Sequence, residues 1–117
     1  MAVWGIWSMN ESPAIKQVKF NIGEVIHHKL FHYRGVIVDV DPDFQLSQKW
    51  YQMVARSRPP QDEPWYHVLV HDSEDSTYVA EQNLEADKTA QKISHPGVDQ
   101  CFCDFKNGHY ISNEKIN

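Results

Sequence analysis

The run Phe20–Asp41, FNIGEVIHHKLFHYRGVIVDVD, constrains the fold more than any other stretch of the chain. It holds two β-rich segments, Glu24–His28 and Arg34–Asp41, joined by a short turn. In the second segment Val36, Val38 and Val40 recur with the two-residue period of a strand, which predicts that all three share one face. Gly35 suits a bend or bulge at the start of that strand, and Pro42, with no N–H to donate, ends its ladder. A hairpin of this kind must bury an apolar face, so the rest of the chain has to supply the partners.

Those partners are legible downstream. WYHVLVHD, from Trp65 to Asp72, alternates with Tyr66, Val68 and Val70 on one face, and the turn Ser73–Ser76 leads into TYVAE, predicting a second hairpin. Between the hairpins, Ser47–Ser57 reads as a short amphipathic helix with Ser47 as N-cap and Trp50, Met53 and Val54 on its apolar face. The tract Arg58–Pro64, RPPQDEP, can neither continue a helix nor pair in a sheet and forms a surface loop. After a polar connection, Val98, Phe102 and Phe105 are spaced i, i+4, i+7 and Gly108 can close a helix, which predicts a helical C-terminal extension beginning near residue 88. The sum is a mainly β architecture, either a small, partly closed barrel or a small open sheet.

Composition sets outer limits. A chain of 117 residues with 41% hydrophobic side chains is one globular domain, here 17–117, and the segment 1–16, an apolar octapeptide followed by a polar linker, is expected to be poorly ordered. Cys101 and Cys103 lie too close for an easy local bridge, which suits a reducing, cytoplasmic setting. No apolar run approaches a membrane span, and MAVWGIWS lacks the charged start and long apolar core of a signal peptide. The net charge of −5 is uneven: eight acids and no Lys or Arg fall between Asp62 and Asp87, whereas Lys49, Arg56 and Arg58 occupy an acid-free run. Such a balance disfavours phosphate-rich partners without excluding a local basic face.

The chemical motifs mostly eliminate themselves. Asp39, Asp41 and Asp43 open like a calcium loop, but its sixth and twelfth positions hold Phe44 and Trp50 in place of Gly and Glu, so the three read as strand-end polarity. His67 and His71 sit about 13 Å apart on a strand, and Cys101-Phe102-Cys103 lacks a zinc-knuckle spacer, so neither a metal nor a cofactor is called for. No nucleophile motif or phosphate loop occurs, and an enzyme is not expected. What remains is a surplus of aromatic side chains, among which Tyr33, Trp65 and Tyr66, with Arg34, have the composition of a binding patch.

Three blocks, KFNIGEVIHHKLFHYRGVIVDVDP, DEPWYHVLVHD and TYVAEQNLE, together resemble the YccV-like, hemimethylated DNA-binding domain family over about Lys19–Glu85. The tail ISHPGVDQCFCDFKNGHYI is similar to the extension of related domains, such as that of an F-box protein. The resemblance implies an SH3-like barrel and two classes of function. One, that of heat-shock proteins of the HspQ type, is protein binding in stress-linked quality control, with the Lon protease and its clients as partners; Tyr33, Arg34, Trp65 and Tyr66 are its contact candidates on their chemistry alone, not on the resemblance. The other is binding of hemimethylated DNA, for which Lys29, Arg34, Lys49, Arg56 and Arg58 would have to converge. Exposed strand edges also permit a homo-oligomer.

Overall fold

In a computed structural model, residues 17–55 and 57–112 are described; the expectation for 1–16 lies outside them. Five antiparallel strands form the main sheet in the order β4-β3-β2-β1-β5, with β1 Val25–His28, β2 Arg34–Asp41, β3 Trp65–Val70, β4 Ser76–Ala80 and β5 Leu84–Ala86. The first four follow one another as a meander. A 3₁₀ turn, Glu81–Asn83, then carries the chain back to β1, where Ile26 pairs with Ala86 and His28 with Leu84. The sheet thus curls into the partly closed barrel expected of an SH3-like fold.

Strand β2 corrects one expectation. Pairing with β3 runs Val36 to Leu69 and Ile37 to Val68, then resumes at Asp39 to His67, leaving Val38 as an extra residue. This bulge moves Val40 to the other face: Val36 and Val38 pack on one side of the sheet, Ile37 and Val40 on the other. Gly35 is not the bulge. A Cβ there would stand 2.5 Å from Val68 Cγ1 and 2.7 Å from Leu69 O, so its role is the close approach of β2 to β3.

The two faces carry two cores. Phe20, Ile26, Ile37, Tyr66, Val68, Val79 and Leu84 fill the inside of the barrel. On the outside, Val25, Val36 and Leu69 meet Ile93, Phe102 and Tyr110 from the C-terminal segment. That segment is not the expected helix. Only one turn, α2 Val98–Cys101, is helical; β6 Phe102–Lys106 and β7 His109–Ser112 then form a hairpin turned by Asn107 and Gly108, both at positive φ (53° and 79°). Asn-Gly is the sequence such a turn favours, because both central residues must be left-handed. The earlier helix, α1 Gln48–Val54, forms as expected: Ser47 Oγ accepts the Trp50 N–H.

Candidate functional site

A groove of about 560 Å³ opens along β4, where the barrel is not closed. All five residues of β4 line it, with Trp65 from the neighbouring strand. One wall is the β1–β2 turn and the other is α1 with the residue before its cap, Leu46.

The first wall is built on His28. This side chain is 3% exposed, and its Nδ1 accepts the backbone N–H groups of Leu30 (3.1 Å) and Phe31 (3.0 Å), which only an unprotonated Nδ1 can do. The ring stacks on Phe31 at 4.7 Å and leans on Tyr33 at 5.0 Å. Burial lowers its pKa, and the neighbouring His27 and His32 lower it further. Thus one neutral imidazole organises a turn whose apolar side chains, Leu30 and Phe31, are 52% and 64% exposed. Tyr33 crosses from this wall to the floor, its hydroxyl 2.7 Å from Thr77 Oγ1.

The second wall rests on an aromatic cluster. Trp65 stacks on Tyr78 (5.2 Å), Phe44 meets Trp65 edge-on (5.0 Å), and Trp50 covers Tyr78 (5.8 Å). Trp65 Nε1 donates to Pro60 O and Tyr51 Oη to Pro59 O, so the Pro-Pro loop is tied down against the cluster. Helix α1 buries no residue, and its Met53 and Val54 stand 71% and 52% exposed. The apolar face predicted for it is therefore partly open, and Val54 looks into the groove.

Of the protein-binding candidates, Tyr33 and Trp65 come together in this groove, although Trp65 is only 1% exposed and forms its floor. Tyr66 and Arg34 do not. Tyr66 is fully buried in the barrel, where its hydroxyl donates to Glu81 Oε2 (2.6 Å) and accepts the Phe20 N–H, so its place among surface contacts is corrected to the core. Arg34 is spent on the fold: its Nε lies 3.1 Å from Asp87 Oδ2 and its Nη2 donates to Gln91 O. Burial pushes the Asp87 carboxyl up, but the Thr89 hydroxyl and the Arg34 guanidinium outweigh it and hold the pKa below the ordinary carboxylate value.

Among the DNA candidates, Lys29 is exposed on the β1–β2 turn, Lys49 on α1 and Arg58 on the loop after it. They sit on elements that wall the groove, but none is among its lining residues. Arg56 lies outside the described residues. The aspartates also find a place. The bulge at Val38 sets Asp39 and Asp41 beside His67, with their ligand atoms within 4.8 Å of one another. Asp41 Oδ2 accepts the Tyr78 hydroxyl (2.7 Å) and lies 3.2 Å from His67 Nε2, so this carboxylate positions the groove floor.

Sequence reasoning counted Phe31 in the aromatic surplus and put Val54 on the apolar face of α1 but named neither as a site residue, and it missed Leu30 and Leu46 altogether. The available signal was Leu30-Phe31 in a turn between strands, a position at which two large apolar residues have no core to enter.

The fold and the site together define a small β-barrel with an apolar groove at its open seam. Residues 18–109 match the family described as hemimethylated DNA-binding protein YccV like, and the chain belongs to that family. It is 37% identical over 103 residues to F-box only protein 21 of Mus musculus and 36% identical to the proteins of that name from Homo sapiens and Pongo abelii. Each match takes in 86% of this chain but only 16% of the relative, so the chain spans about a sixth of the length of these curated proteins.

Proposed function

We propose that this domain is a non-enzymatic, protein-binding accessory factor of the HspQ kind, acting in the cytoplasm in stress-linked quality control and modulating the proteolysis of clients by Lon. The observation that carries this reading is the groove along β4. Its walls are aromatic and aliphatic, and no Asp, Glu, Lys or Arg appears among its described lining residues. Apolar, aromatic-rich concavities without buried charge suit protein segments, whereas a duplex is held mainly through its phosphates. No helix among the described residues is long and apolar enough to cross a membrane. That the relatives carry this stretch within far longer chains fits a module that binds. Titrating the protein into a Lon degradation assay with an unfolded client should change the rate in a saturable way. A rate indifferent to the added protein overturns the reading.

The second reading, recognition of hemimethylated DNA, draws on the family description and on exposed Lys29, Lys49 and Arg58 beside the groove. Three such cations give a weak, salt-sensitive attraction. Gel shifts with hemimethylated and fully methylated duplexes at low and physiological salt should show binding that fades with salt and ignores methylation. A methylation-dependent shift that survives physiological salt would move the function to DNA.

A further inference from the structure

We infer that the open edge of β4 takes up an extended, uncharged peptide segment as an additional strand, its side chains alternating between the two walls of the groove. The inference rests on the protein-binding reading and specifies the partner: a short stretch of consecutive apolar residues in β conformation, as an unfolded client exposes.

Three observations converge on it. First, β4 is the terminal strand of the sheet and pairs with β3 through five residues without a register shift, so among the described residues its outer backbone groups face no other strand. Exposed edges are normally guarded by Lys, Pro, a bulge or an inward charge, and Ser76-Thr-Tyr-Val-Ala80 has none of these. Second, both faces of that edge are walled. Thr77 bonds Tyr33 and Val79 belongs to the barrel core on the side of the β1–β2 turn, whereas Tyr78 lies under Trp50 on the side of α1. A strand laid along β4 would send alternate side chains toward Phe31 and toward Val54, so it must be apolar at neighbouring positions, like a strand buried on both faces. Third, no Asp, Glu, Lys or Arg appears among the described lining residues, so a charged side chain buried against them would lack a carboxylate, ammonium or guanidinium counterion. Five residues of β4 match a segment of about 17 Å. A second copy fits poorly, because its own β4 lies on the floor of the same walled groove.

The test uses the full chain and a fluorescein-labelled peptide with the core Thr-Val-Phe-Val-Tyr-Thr on a Gly-Ser spacer, followed by anisotropy. Binding should be saturable and should weaken about tenfold, or 1.4 kcal/mol, when alternate amides are N-methylated, since that removes the ladder donors and keeps the side chains. Phe31→Asp and Val54→Asp, both at exposed positions, should each weaken it by about the same factor while leaving the circular dichroism unchanged. Binding insensitive to N-methylation and to both substitutions, or no binding, overturns the inference. So does binding that appears only in a Trp4→Ser/Trp7→Ser chain, which would assign the groove to the chain's own apolar N-terminal segment, or only on dissociation of a dimer, which would assign it to a second copy. If the protein still alters Lon proteolysis while the peptide fails to bind, the groove assignment falls and the protein-binding reading stands.

Discussion

His28 shows how much of the site depends on the protonation of one ring. Its Nδ1 holds two backbone N–H groups, and a proton on that atom would face both donors and release Leu30 and Phe31. Because the folded pKa lies below the ordinary 6.5, the unfolded chain takes up the proton more readily. The stability His28 contributes is therefore complete above about pH 6.5 and is lost as the pH falls from there toward the lowered folded value. Urea midpoints at pH 8 and pH 5.5 should differ in the native protein, and the difference should shrink in His28→Gln. An equal pH dependence in the variant would mean that other histidines carry the effect. Nothing in the sequence separates His28 from the six other histidines. Its burial follows from the turn geometry, which pairs its N–H with Tyr33 O and its carbonyl with the His32 N–H.

Elements were legible where a single local rule fixed them. Ser47 three residues before Trp50 specified the start of α1, and alternation specified β3. The period failed at the bulges. In β6 the pairing passes from Phe102–Ser112 to Asp104–Ile111, so Cys103 is an extra residue and Phe102 and Phe105 fall on one face despite an odd separation. That spacing of three is what a helix also produces, and it outweighed the Asn107-Gly108 turn in the reading from sequence. The bulge at Val38 misled in the same way by placing Val38 and Val40 on opposite faces. If Gly108 is the hairpin's turn residue, Gly108→Ala should destabilise the protein by about 1–2 kcal/mol, since φ is +79° and the new methyl would stand 2.8 Å from the Ala90 Cβ. Thermal melting checks this; an unchanged midpoint would mean that the turn carries no strain. The groove was less legible, because it is made where three separate elements meet at a sheet edge, and only topology reveals an edge.

At the scale of the whole molecule, the C-terminal segment is half of a core. Val25, Val36 and Leu69 are covered by Ile93, Phe102 and Tyr110, and Tyr110 locks the contact by accepting the Ile93 N–H at 2.7 Å. A chain ending at Ala86 would expose that face and free Arg34 from Asp87. It should lose its cooperative unfolding transition and bind a hydrophobic dye, as heating and dye fluorescence would show. A sharp transition in the shortened chain would make the extension dispensable. The same segment returns to the beginning of the fold: the Tyr110 N–H donates to Gly23 O at 2.8 Å, and Glu24 bridges His109. The start of β1 and the last strand of the described fold therefore lie side by side. A chain that enters the described strands after Gly23 and leaves them after Tyr110 has those two points joined by one backbone hydrogen bond, a geometry that suits a cassette carried within a longer polypeptide.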